Sequence, residues 1–187
     1  MARALRPPPP MAVDEFLVWD DGTWTKYELE DGVPVAMSPP VVPHARIAQN
    51  VGAEIDRLVE DRPPCRALQG AGIVISREKR KVYIPDVLMT REPLRRDNTA
   101  QTPTLVVEVL SPSTKGVDQR RKIQAYRALP SVEEIGLVDS RSRHVRVWSR
   151  GEAGWPEEPV VAEGDGAFES AALGGEVALD RLSAIDG

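Results

Sequence analysis

The sequence predicts an α/β fold: a mixed β-sheet flanked by helices, with a hairpin near the N-terminus. Three observations carry that expectation. Asp31-Gly32 is a strong two-residue turn signal between two short β-prone runs. Residues 43–61 repeat apolar side chains at helical spacing, and 117–129 form a second helical stretch. Short apolar, β-branched runs recur around them, above all Leu105-Val106-Val107-Glu108-Val109-Leu110.

Taken in order, Ala12 to Trp19 reads as a short helix with Phe16 and Trp19 on one side. Lys26 to Met37 is the hairpin, and Ser38-Pro39-Pro40 breaks its second strand. In the first long helix, Ile47, Val51, Ile55, Leu58 and Val59 fall on one face, and Pro63-Pro64 ends it. Ala71 to Ser76 is a strand, Arg77 to Lys81 its turn, and Val82 onward returns as a strand containing Pro85-Asp86. Arg91 to Pro103 is a polar loop, and Thr104 to Leu110 is the next strand. Ser111 to Thr114 is a loop, and Pro130 closes the second helix. Glu134 to Asp139 and His144 to Ser149 are strands joined by a polar turn. After Gly151 the chain is rich in Gly, Pro and acid, with Val160-Val161 and Val177 to Leu182 as short elements.

A length of 187 residues, 41% hydrophobic and 28% charged, suits one soluble domain with a sizeable core. Residues 1–11 are expected as a disordered leader, 12–150 as the domain, and 151–187 as an acidic extension packed on it. No run approaches the roughly 18–20 apolar residues of a membrane span. The N-terminus lacks an apolar signal core, so a cytoplasmic location is expected. The single cysteine, Cys65, excludes an internal disulfide and a cysteine zinc cluster. Two histidines without ligand spacing argue against a zinc hydrolase. The lack of a glycine-rich phosphate loop argues against an NTPase. The net charge of −5 hides a split. Residues 77–150 hold 16 Lys/Arg against 9 Asp/Glu, net +7, and residues 151–187 hold 1 against 9, net −8. A basic region around suspect acids suits a polyanion such as DNA, although a solvated, charge-mixed surface would look the same.

Glu108 is the most informative residue. It interrupts a run that otherwise reads as a buried strand, and a bare buried carboxylate costs several kcal/mol unless something pairs with it. Asp86 follows Pro85 at the start of Val87-Leu88-Met89. Two acids on neighbouring buried strands repel, and a divalent cation is the usual remedy.

A Pro-Asp, a Glu 22 residues later in the next strand, and a basic helix straight after resemble the PD-(D/E)XK nuclease superfamily. The chain is more closely similar to the Uma2 family (DUF820), found mainly in bacteria. The matching pieces begin with Tyr27-Glu28-Leu29-Glu30-Asp31-Gly32, Ser38-Pro39-Pro40, His44 and Tyr83-Ile84-Pro85-Asp86-Val87. They continue with Pro103 to Thr114, Asp118, Lys122, Tyr126 and Leu137-Val138-Asp139. The resemblance implies a restriction-endonuclease-like core and a Mg²⁺- or Mn²⁺-dependent endonuclease acting on DNA, with a homodimer as the expected assembly. It implies Asp86, Glu108 and the Val109 carbonyl as metal ligands, with Glu28 as an upstream acid that assists. The third motif position is Leu110, where the superfamily has lysine. Lys122 is the natural substitute: Asp118, Lys122 and Tyr126 are four apart and share one helix face.

Each residue has a plainer reading. Glu108 could be an acid paired with Arg or Lys, Asp86 a turn cap, and Glu28 a solvent-facing strand acid. Lys122 could pair with Asp118 on the surface, a contact worth about 0.3–0.5 kcal/mol. His44 could contact phosphate or bond at its helix terminus. Tyr126 reads as packing, and Ser111 as a cap or a phosphate donor. The chain as a whole could be a nuclease fold that has lost its chemistry and serves as a nucleic-acid-binding or regulatory module. A metal hydrolase for small phosphoesters is the third reading.

Overall fold

The computed structural model describes residues 10–93, 98–110 and 116–183. Helix α1 (Val13–Val18) precedes the hairpin of β1 (Tyr27–Glu30) and β2 (Val33–Ala36). Asp31 (φ 50°) and Gly32 (φ 85°) both take left-handed backbone, as the tight turn requires. Helix α2 (Val42–Leu58) follows, then β3 (Arg66–Leu68), β4 (Gly72–Ser76), β5 (Lys81–Tyr83), β6 (Val87–Thr90), β7 (Thr99–Ala100) and β8 (Pro103–Leu110). Helix α3 (Gly116–Arg127) leads to β9 (Glu134–Asp139), β10 (His144–Ser149), β11 (Val160–Glu163), β12 (Ala167–Ser170), β13 (Gly175–Ala178) and α4 (Leu179–Leu182).

The expected mixed sheet is divided in two. One sheet runs β2-β1-β5-β4-β7 and the other β11-β10-β9-β8-β6-β3, while β12 and β13 form a separate ribbon. Strands β8 and β9 are parallel neighbours, and α3 is the crossover that such a pair needs. The larger sheet is covered on both faces. Val87, Met89, Leu105, Val107 and Val109 pack on α2 and on Leu173, Val177, Leu179 and Leu182. Leu88, Val106, Ile135 and Leu137 pack on Tyr126 of α3 and on Ile73 and Tyr83 of the smaller sheet. Strand alternation puts Glu108 in phase with Val106, so it faces α3 and the smaller sheet.

One correction bears on function. Val82 to Asp86 does not continue as a strand: β5 ends at Tyr83, and β6 begins at Val87 in the other sheet. Pro85 has no N–H to give a ladder, and the chain crosses between sheets there. Strands β3, β7 and β12 have two to four residues, too short for an alternation pattern to show. Ser111 and the loop expected at 111–114 lie outside the described residues. Of the expected leader only Pro10 and Met11 are described, and the Met11 N–H donates to the Gly32 carbonyl at 2.8 Å. No described helix is long and apolar enough to cross a membrane.

Glu134 ties the acidic C-terminal segment to the core. It is 1% exposed, a carboxylate at the start of β9. It accepts from Ser149 Oγ at 2.8 Å, the Ala171 N–H at 2.9 Å, and Ser170 Oγ. Glu134→Gln replaces one acceptor oxygen with a donor facing donors. We expect it to lower unfolding free energy by about 2 kcal/mol, read by urea denaturation.

Candidate functional site

The site forms where the two sheets and two helices meet. Alternation along β1 sends Leu29 into a small core with Val13 and Val82, which puts Glu28 and Glu30 on the opposite face. Glu28 Oε1 accepts the Ile84 N–H at 2.8 Å and Lys122 Nζ at 2.9 Å. Glu28 is therefore not a solvent-facing strand acid. It holds both the crossover peptide and the lysine.

Asp86 lies on the crossover itself. Pairing between β6 and β8 runs from Val87↔Val107 toward Thr90↔Pro103, so Val109 lies beyond the end of β6. Asp86 Oδ2 accepts the Val109 N–H at 2.7 Å, and His44 Nε2 lies 3.3 Å from the same oxygen. His44 arrives on the first turn of α2, which the apolar stripe Ile47, Val51 and Ile55 holds against the larger sheet. The bond to Asp86 raises the pKa of His44; burial opposes it, and the Val109 backbone and Glu108 add to the rise. His44 Nδ1 is buried without a hydrogen-bond partner.

Glu108 Oε1 accepts from Tyr126 Oη at 2.6 Å and lies 3.2 Å from Lys122 Nζ. Glu28, Glu108 and Lys122 side chains are each 15% exposed, so the cluster is sheltered but open to solvent. Burial pushes the Glu108 carboxyl up to about 7; Lys122 and the Tyr126 bond oppose the rise, and Asp86 and Glu28 repel its charge. Burial works against the Lys122 ammonium, but Glu108 and Glu28 outweigh it and hold its pKa above the ordinary lysine range. Burial, and then Glu108, raises Tyr126 well above the usual phenol.

The structure thus brings Glu28, His44, Asp86, Glu108, Val109, Lys122 and Tyr126 together. Tyr126, expected as packing, is both fully buried and bonded to Glu108. Leu110 packs in the apolar cluster around Tyr126, and Lys122 reaches from α3 to within 3.2 Å of Glu108. Only the backbone of Asp118, on α3, is described.

Sequence reasoning gave no role to a second layer around Glu30. That carboxylate takes Tyr83 Oη at 2.7 Å and pairs with Lys81 and, at 3.3 Å, with Arg121. The Tyr83 ring lies 5.5 Å from Lys122 Nζ and edge-on to Tyr126. The signal was present: Glu30 is two residues from Glu28, on the same strand face.

The donor set is one of hard oxygens: Glu28 and Glu108 flank Lys122, and Asp86, beside His44, lies close enough to Glu108 to repel its charge. Excess negative charge of this kind suits a divalent cation. Two carboxylates, Asp86 and Glu108, with the Val109 backbone nearby are the type of donor set that a hard divalent cation would take, with waters filling the rest of its shell. Among the described residues, no three or more His, Cys, Asp or Glu side chains form a group that could hold a metal ion by themselves. The fit therefore depends on a backbone carbonyl and water to complete the shell.

Comparison with known proteins gives a consistent picture. The model of a family described as "Uma2: Putative restriction endonuclease" matches residues 13–181. The uncharacterised protein slr1290 of Synechocystis is 29% identical over 158 residues, covering 79% of this chain and 78% of its own. A second uncharacterised Synechocystis protein, sll1609, is 26% identical over 154 residues, covering 80% of this chain and 86% of its own. A crystal structure described as "a putative nuclease belonging to DUF820", from Anabaena variabilis, superposes with a TM-score of 0.72. It covers 92% of this chain and 97% of its own at 17% identity, so what the two share is the fold.

Proposed function

This chain belongs to the Uma2 family, and on that footing we propose that it is an endonuclease that hydrolyses DNA phosphodiester bonds with a divalent cation. The observation that carries the reading is the convergence of Asp86, Glu108 and Lys122 from a sheet crossover, a buried strand and the following helix. Asp86, Glu108 and the Val109 carbonyl would hold Mg²⁺ or Mn²⁺. When bound, the ion supplies Lewis-acid stabilisation of the phosphoryl oxygen and a water of lowered pKa. Lys122 places an ammonium where negative charge develops on the attacked phosphate. Glu28 and Tyr126 fix that ammonium and the Glu108 carboxylate in place. The binding-module reading drew on Leu110 and on the net charge of −5; the position of Lys122 beside Glu108 answers the first and favours the enzyme. A homodimer and a cytoplasmic location belong to the same proposal.

Titration with Mn²⁺ tests the metal part. Below about pH 7 an ion must displace the proton that burial keeps on Glu108. We expect apparent affinity to fall by up to about tenfold per pH unit below that point and to level off above it. Asp86→Asn should weaken binding at every pH. Calorimetry showing weak, pH-independent binding that matches the variant would sink the metal assignment. Activity on nucleotides with none on DNA would favour a small-phosphoester hydrolase.

A further inference from the structure

Asp86 is held by one of its two oxygens. The Val109 N–H donates to Oδ2 at 2.7 Å, and His44 Nε2 lies 3.3 Å from the same atom. Among the described residues, no donor reaches Oδ1. The two groups on Oδ2 come from different elements. Val109 belongs to the buried strand β8, and His44 stands on the first turn of α2. A carboxylate engaged in this way offers a cation one oxygen and withholds the other.

His44 has no second polar task. Its Nδ1 is buried without a hydrogen-bond partner, so this nitrogen makes no bond at the helix terminus. A buried ring nitrogen left unpaired is a cost, and the ring bears it while its other nitrogen faces Asp86. The helix that carries the ring is fixed. Ile47, Val51 and Ile55 bury α2 in the core, and Gln69 Nε2 donates to the Ala48 carbonyl, one turn after His44, at 2.8 Å. A ring on a braced helix holds its target more precisely than one on a loop.

We propose that His44 is a positioning residue that, with the Val109 N–H, ties down Asp86 Oδ2, and that this clamp makes the site prefer a small octahedral cation over Ca²⁺. The inference rests on the divalent-cation reading of the site and adds its selectivity. Mg²⁺ and Mn²⁺ favour a compact octahedral shell, to which a carboxylate can give a single oxygen. Ca²⁺ is larger, takes roughly six to eight oxygens, and often uses both oxygens of a carboxylate. Holding Oδ2 therefore denies Ca²⁺ a ligand that Mn²⁺ does not need. Without His44 the Asp86 carboxylate is free to turn, and the advantage of Mn²⁺ shrinks. An imidazole that served only to pack the helix would, on removal, weaken both ions alike.

The test is calorimetric titration of the whole chain with MnCl₂ and, separately, with CaCl₂, in the absence of nucleic acid. The wild type should bind Mn²⁺ more tightly than Ca²⁺. His44→Phe keeps a ring and loses the donor. Its Mn²⁺ affinity should fall by about 10–100-fold, the scale for removing a bond behind a metal ligand, and its Ca²⁺ affinity by less than about threefold. His44→Asn carries its amide on too short a stem to reach Oδ2 and should behave like His44→Phe. His44→Gln sets its amide nitrogen about where Nε2 stands and should keep most of the preference for Mn²⁺. Circular dichroism identifies the folded variants, and the Asn and Gln pair carries the comparison if phenylalanine disturbs the helix. Equal losses for the two ions in folded variants would overturn the inference and leave the metal site in place. The same holds if His44→Phe and His44→Asn bind Mn²⁺ like the wild type, if His44→Gln is as poor as His44→Asn, or if the wild type binds Ca²⁺ as tightly as Mn²⁺. A wild type that binds neither ion, or binds Mn²⁺ no better than Asp86→Asn, sinks the metal-dependent nuclease reading as well.

Discussion

Glu108→Gln will reduce DNA cleavage by at least about 10³-fold, roughly 4 kcal/mol of transition-state stabilisation. The substitution keeps the size of the side chain and its contact with Tyr126. It removes the charge that would bind the ion and that pairs with Lys122 at 3.2 Å. Folding should suffer little: burial raises the Glu108 carboxyl to about 7, so a neutral amide is tolerated there, and Lys122 keeps Glu28 as a partner at 2.9 Å. The variant should therefore stay folded, with a melting temperature close to that of the wild type, while losing Mn²⁺ affinity. Activity within tenfold of wild type would remove Glu108 from the site. A large drop in melting temperature would show a structural acid instead.

Lys122→Met will separate binding from chemistry. The methionine keeps most of the aliphatic stem and deletes the ammonium, which lies 5.5 Å from the centre of the Tyr83 ring. Cleavage should fall by about 10²–10³-fold, the scale for losing one charge-stabilising donor. Mn²⁺ should bind at least as tightly, because an ammonium near Glu28 and Glu108 competes with a cation for the same carboxylates. Equal losses of metal affinity and rate would make Lys122 a structural counter-ion. An unchanged rate would leave the reaction without its proposed charge stabiliser.

The parts of this molecule with local signals were legible in the sequence. The Asp31-Gly32 turn, the apolar stripe of α2 and the β8 run each carry their own pattern, and each forms as expected. Glu108 was conspicuous because a charge inside an apolar strand has few explanations. The neighbourhood of Asp86 was misread for a physical reason. Val82 to Met89 is nearly continuous in apolar character; Pro85 is a local sign of a break, but only long-range pairing decides that the chain crosses to another sheet there. The division into two sheets is a long-range pairing of the same kind. Lys122 could be placed on a helix face, but its reach to Glu28 depends on how that helix packs. Glu30, Tyr83 and Arg121 were missed for that reason, since their contacts join three separate elements.

The most direct measurement is nicking of supercoiled plasmid by the purified protein in Mg²⁺ or Mn²⁺, with EDTA and Asp86→Asn as parallel reactions. We expect metal-dependent nicking that EDTA abolishes and Asp86→Asn lacks. Intact plasmid under both metals, or nicking that persists in EDTA or in Asp86→Asn, would contradict a metal-dependent nuclease centred on Asp86 and Glu108.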